Sequence, residues 1–149
     1  MKKYDKELKR LIRARTKNFP RALALGLQWV SLGYSSALYF AGKKIGKEVI
    51  SNEIKTKDIK EILKQTSKIF SSMGIGTLST KSINRKQAVL ILKNGTTANG
   101  MAKIGKTVCY FEAGLISGIL EGKLKKTFNV SETRCGGLGD SMEEFVVNL

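Results

Sequence analysis

The amino-acid sequence predicts an α+β domain in which helices cover one face of an antiparallel sheet. Three observations carry this. Apolar residues recur at helical spacing through the first half of the chain. Two β-rich segments flanking a short polar turn come next. A glycine-ridged helical segment and two further short β-rich segments complete the order. The 149 residues suit one domain with one core.

Each element has its own signal. Tyr4, Leu8, Leu11 and Ile12 share a face, so Tyr4–Arg15 reads as a short amphipathic helix, and Asn18-Phe-Pro20 breaks it. Ala22 to about Ser51 reads as one long helix, or two meeting near Gly33. Its apolar positions include Leu23, Leu27, Val30, Tyr34, Leu38, Ala41, Ile45 and Val49. Gly42 and Gly46, one turn apart, mark either close helix packing or a pocket wall. Lys57–Met73 is a cleaner helix, with Thr56 as N-cap, a stripe of Ile59, Ile62, Leu63, Ile69 and Phe70, and Gly74 as stop. Ile75–Lys81 and Gln87–Lys93 flank Ser82–Lys86 as a hairpin. The run Val89–Leu92 fits a strand buried on both faces. Asn94-Gly95 is a turn and Thr96–Gly105 a loop. Thr107–Lys123 returns to helix, and Gly114, Gly118 and Gly122 give it a smooth ridge. Lys126–Thr133 and Phe145–Val147 read as strands around the glycine-rich turn Cys135–Asp140.

Composition narrows the chemistry. No apolar run reaches the roughly 20 residues of a membrane span, and the basic N-terminus leads into no compact signal-peptide core. The expectation is a cytoplasmic protein. Histidine is absent, so any metal must be held by Cys, Asp or Glu, and imidazole-based catalysis is excluded. The 27 Lys and Arg stand against 12 Asp and Glu, a formal charge of +15. Nine of the basic residues lie within Met1–Arg21, beside Asp5 and Glu7. Such an arm can neutralise nucleic-acid or lipid phosphates, or it is a solvated helix face. The chain carries no helix-turn-helix pattern and no interleaved basic-aromatic stripe.

Both cysteines lie in the last third, Cys109 ahead of the glycine-ridged helix and Cys135 in the C-terminal turn. Glu132 precedes Cys135 by three residues, and Glu143 follows it by eight. Two thiolates and two carboxylates can fill a tetrahedral zinc shell without histidine; a closed shell of that kind is structural. Core thiols are the plainer reading, and a Cys109–Cys135 disulfide is a third, disfavoured in a reducing compartment. Gly74-Ile-Gly76 and Gly136-Gly137-Leu-Gly139 lack the strand–turn–helix setting of a dinucleotide loop and read as turns.

These residues also carry a resemblance. Cys109-Tyr-Phe111-Glu-Ala-Gly114-Leu-Ile-Ser-Gly118, then Glu132-Thr-Arg-Cys135, then Gly139-Asp140 and Phe145, resemble the closing third of the 4-vinyl reductase domain family. The likeness runs from about Phe19 to Leu149, so the chain divides into a basic arm or helix, residues 1–18, and a ligand-binding domain, residues 19–149. Where that family has its last Cys, this chain has Glu143.

The resemblance implies several things. The fold is a small α+β domain shared with small subunits of a vesicle-tethering complex and with sensor domains of aromatic-responsive transcription regulators. The activity is non-enzymatic binding of a small apolar or hydrocarbon ligand, often as a homodimer. A structural zinc site implied by the family falls on Cys109, Glu132, Cys135 and Glu143. The ligand pocket is expected between the first helices and the sheet, with Trp29, Tyr34, Tyr39, Phe40, Phe70 and Phe111 as its wall. The alternatives are a nucleic-acid-binding regulator using the basic arm, a reductase of a vinyl-type substrate, and, by fold analogy alone, a scaffold subunit.

Overall fold

The computed structural model describes Gly26 and residues 34–149. The basic arm, Trp29 and the boundary between residues 18 and 19 lie outside the described residues. In chain order the elements are α1 (Tyr34–Glu48), a short 3-10 turn (Ile50–Glu53), α2 (Ile59–Ser72), β1 (Thr77–Ile83), β2 (Gln87–Lys93), α3 (Tyr110–Leu124), β3 (Val130–Arg134), a second 3-10 turn (Gly136–Leu138) and β4 (Glu143–Asn148). The strands form one antiparallel sheet in the order β1-β2-β4-β3, packed beneath the three helices. The architecture is the expected α+β layer. Among the described residues no helix is long and apolar enough to cross a membrane.

α3 is the centre of the packing. Every residue from Glu112 to Gly122 is buried, so the helix has no solvent face. α1 lies across it with backbone-to-backbone contact. A Cβ on Gly114 would stand 2.0 Å from the Tyr39 carbonyl oxygen, and one on Gly118 would stand 2.0 Å from that of Lys43. The relation is reciprocal, since a Cβ on Gly42 would meet the Phe111 carbonyl at 2.2 Å and one on Gly46 that of Leu115 at 2.5 Å. The glycines of both helices therefore serve close packing. Glu121 reinforces the contact through Lys43, at 2.7 Å, while also accepting the Phe128 N–H.

Strand alternation sets the other half of the core. Ala88, Leu90 and Leu92 of β2 are buried beside Phe145 and Val147 of β4 and Val130 of β3. Ile91, on the opposite face, is 7% exposed, in keeping with a β2 covered on both sides.

Element ends differ from expectation for local reasons. Asp58, not Thr56, caps α2, accepting the Glu61 N–H at 3.0 Å, while Thr56 supports it by accepting the Asp58 N–H at 3.0 Å. Gly74, at φ +69°, ends that helix as expected. α3 begins at Tyr110, not Thr107, because the Val108 and Cys109 N–H groups are turned toward Glu132. β3 begins only at Val130. Lys125 turns the chain through a left-handed conformation, φ +58°, and Glu121 holds the Phe128 N–H off the ladder.

Candidate functional site

The four residues singled out as metal donors converge on one buried region, where the start of α3 meets the β3–β4 turn. Cys109 is the capping residue of α3 and is fully buried. Glu132 faces it from β3. One carboxylate oxygen, Oε2, accepts the Val108 N–H at 3.1 Å and the Cys109 N–H at 3.0 Å. The other, Oε1, is buried with no hydrogen-bond partner. Register places Glu132 opposite Phe145, so Glu132 shares the helix-covered face with Phe145 and with Glu143 two residues earlier. Glu143 is 1% exposed. Its carboxylate reaches the turn at Gly95, where a Cβ would lie 2.6 Å from Oε1, so only glycine leaves it room.

Cys135 opens the turn between β3 and β4. Its thiol points to the Lys106 carbonyl at 3.8 Å. Asp140 holds the turn shut. It accepts the Cys135 N–H at 3.2 Å and pairs with Arg134 at 3.2 Å, while its own N–H donates to the Cys135 carbonyl at 3.0 Å. That is the structural work of the Gly139-Asp140 pair, with Gly139 at φ +99°.

Sequence reasoning missed one member. Glu112 lies one helical turn after Cys109 and is 3% exposed. Its Oε1 accepts the Thr97 hydroxyl, and its Oε2 is buried with no hydrogen-bond partner. The Cys-x-x-Glu spacing at the head of α3 was the available signal. It is invisible as a site until α3 is known to be buried on all sides.

The electrostatics follow from burial among like charges. Burial, then the charges of Glu112, Glu132 and Glu143, push the Cys109 thiol well above its usual range. Burial raises Cys135 to about 12, with Glu132 adding to it. Burial likewise raises Glu132 to about 7, opposed by hydrogen bonding with Cys109. Glu112 is raised by burial, with its Thr97 hydrogen bond pulling the other way. The thiols are therefore protonated and unreactive near neutrality unless a cation displaces their protons.

Zinc can be tested against these residues. The donor types suit it, and the orphaned oxygens of Glu132 and Glu112 are atoms that a cation or a proton would satisfy. The spacing does not suit it as it stands: among the described residues no three Cys, Asp or Glu side chains are close enough together to hold a metal ion.

The aromatic set is dispersed. Phe70 is fully buried in the core, and Tyr39 and Phe111 pack partly buried against it. Tyr39 and Phe40 meet edge to face at 5.8 Å. Phe40 is 64% exposed and Tyr34 37%. With Ile45 and Val49 they leave α1 with an uncovered apolar surface.

The fold and the Cys–Glu cluster together define a class, the small α+β domains built on a glycine-ridged helix over a four-stranded sheet. Within it the chain belongs to the 4-vinyl reductase domain family: residues 89–149 match that family's domain model. An uncharacterized protein of Methanocaldococcus jannaschii, MJ0150, is 36% identical over 129 residues, covering 87% of this chain and 73% of the relative. A second from the same organism, MJ1642, is 25% identical over 122 residues, 82% and 69% of the two chains. Among solved structures, a vinyl-4-reductase family protein from the same organism superposes with a TM-score of 0.57 at 26% identity, covering 75% of this chain and 68% of that one. Two further structures share the fold at lower identity. A trafficking protein particle complex subunit 3 from Naegleria fowleri, covalently bound to palmitic acid, has a TM-score of 0.61 at 18% identity, covering 79% and 81%. The phenol-responsive sensory domain of the transcription activator PoxR, with phenol, has a TM-score of 0.55 at 12% identity, covering 95% and 70%.

Proposed function

We propose that this chain is a non-enzymatic binding or sensor domain for a small apolar molecule, braced by a structural zinc ion. The observation that carries the reading is the buried set of two thiols and three carboxylates between α3 and the β3–β4 turn, in a chain of the 4-vinyl reductase domain family. Ligands held by structures of the same fold, phenol in one and palmitic acid in another, support an apolar ligand here. Trp29, Tyr34, Tyr39, Phe40, Phe70 and Phe111 are the aromatic residues this reading assigns to the ligand. The exposed apolar residues of α1 supply a surface for homodimer formation.

Cys109, Glu132, Cys135 and Glu143 would hold the zinc. Bound there, it supplies positive charge and a cross-link. The chain's residues do the rest. Glu132 orients the start of α3 through two N–H bonds, Asp140 fixes the turn that carries Cys135, and Gly95 admits the Glu143 carboxylate.

Two measurements on one preparation test this. Elemental analysis of tag-free protein is expected to find about one zinc per chain, lost in Cys135→Ser. Thermal melts with phenols and with medium-chain fatty acids are expected to show a saturable rise in Tm, because a ligand that binds only the folded state stabilises it. Metal-free wild-type protein would remove the zinc, and flat melts across both ligand series would remove the apolar ligand.

A further inference from the structure

α2 and β1 do not close on each other along their whole length. A groove of about 480 Å³ runs between them, floored by Leu63, Leu78 and Ile83, with Lys60 and Lys64 standing on the helix side. It lies on the strand that borders the sheet, since β1 comes first in the order β1-β2-β4-β3. Among the described residues no backbone group from another element pairs with the outer edge of β1. A single side-chain bond, from the Ser67 hydroxyl to the Leu78 carbonyl, ties α2 to it. The ladder is irregular between Thr80 and Ser82, a break that protects the far half of the edge. Thr77–Thr80 remains regular, and this is the half that borders the groove.

We propose that this groove receives an extended acidic segment of a partner protein, added beside β1 as a fifth strand with carboxylates at alternate positions. The spacing argues for it. Lys60 and Lys64 are one helical turn apart, about 6 Å along α2. Side chains on one face of a strand repeat at about 6.6 Å. A Glu-x-Glu segment lying along β1 therefore presents its carboxylates in step with the two lysines, while its backbone meets the open edge. Charge points the same way, with 27 basic residues against 12 acidic ones in the chain. Lys64 also lies 3.5 Å from Glu61, but both side chains are solvent-exposed, and such a pair is too weak to withhold it. A fatty carboxylate would use the floor and one lysine but leave the strand edge unpaired, so the peptide is the better fit.

The test uses the full chain and a labelled hexapeptide of alternating valine and glutamate, followed by fluorescence anisotropy. Saturable binding is expected, weakening as salt rises. Lys60→Glu with Lys64→Glu should weaken it at least tenfold without changing the melting temperature, since both lysines are exposed. A peptide of the same composition with its glutamates contiguous should bind several-fold more weakly, and one N-methylated at alternate amides should not bind. Equal binding of the contiguous peptide, indifference to the double reversal, or no saturation at millimolar peptide would overturn the proposal. So would decanoate binding that the double reversal abolishes while the peptide fails to bind, which would mark a site for an anionic amphiphile.

Discussion

Glu132, on β3, accepts the backbone N–H of Cys109, the residue that caps α3, at 3.0 Å. The same oxygen takes the Val108 N–H at 3.1 Å. One carboxylate thus satisfies two buried donors from a distant part of the chain and anchors the head of the central helix to the sheet. Hydrogen bonds to a charged acceptor contribute about 1.5–3 kcal/mol each, and stranding buried donors costs a similar amount. Glu132→Ala should therefore lower unfolding stability by roughly 2–4 kcal/mol. Urea unfolding measures it, and an unchanged midpoint would show that another acceptor takes over both donors.

The same carboxyl gives stability a pH slope. Burial, partly opposed by hydrogen bonding with Cys109, holds its pKa at about 7 against the usual 4.5. The folded metal-free protein keeps a proton that the unfolded chain releases, so this contribution is full below about pH 4.5 and is lost as pH rises through 7. Glu112 on α3, also raised by burial, acts in the same direction; Cys109 and Cys135 stay protonated across this window. In chelator, Tm should fall by roughly 5–10 °C between pH 5 and pH 8. Glu132→Gln, which can still accept hydrogen bonds but does not titrate, should flatten that fall. A bound divalent cation should reverse it, because the cation displaces protons. Parallel wild-type and Glu132→Gln profiles would argue that Glu132 is not the group responsible.

Lys43 and Lys47 both approach Glu121 but differ in environment. Lys43 is at 2.7 Å and 22% exposed; Lys47 is at 3.8 Å and half exposed. Lys43→Met leaves the largely buried Glu121 carboxylate without its nearer cation and should cost about 2–3 kcal/mol. Lys47→Met should stay within about 0.5 kcal/mol of wild type. Thermal or denaturant unfolding of the pair decides it, and equal losses would contradict this ranking.

Gly118→Ala tests the α1–α3 contact. The new methyl would press on the Lys43 carbonyl, main chain that cannot swing aside as a side chain can. A loss of about 3 kcal/mol or more is expected. Gly100→Ala, in open space but at φ +67°, should cost only about 1–2 kcal/mol. Similar melting temperatures for the two variants would mean that α1 shifts to make room.

How much of this was legible depended on how each element meets its surroundings. α2 announced itself because one face is buried and one is wet, so Ile59, Ile62, Leu63, Ile69 and Phe70 form a stripe. β2 did so through its unbroken apolar run. The four donor residues were legible as a set because their spacing survives in the chain. Glu112 was not, because a glutamate in a helix ordinarily faces water, and its burial depends on α1 and the sheet covering α3 together. The partner that identifies it, Thr97, lies in a loop with no periodicity to read. Of the glycines, the sequence left packing and pocket wall open; the contacts with the Tyr39, Lys43, Phe111 and Leu115 carbonyls assign Gly42, Gly46, Gly114 and Gly118 to packing. The groove beside β1 had no sequence signal, since Lys60 and Lys64 look like any solvated helix face.

The enclosure of α3 also bears on biosynthesis. α1, α2, β1 and β2 leave the ribosome ahead of it, but β3 and β4 follow. A helix without a polar face then waits, partly bare, while Lys125–Leu149 are made, an interval of a few seconds at ordinary elongation rates. During that interval the nascent chain exposes its most apolar segment. A chaperone holding the chain at that stage, or a pause before β4, would decide between folding and aggregation, and variants that slow β4 pairing should reduce soluble yield before they change the finished fold.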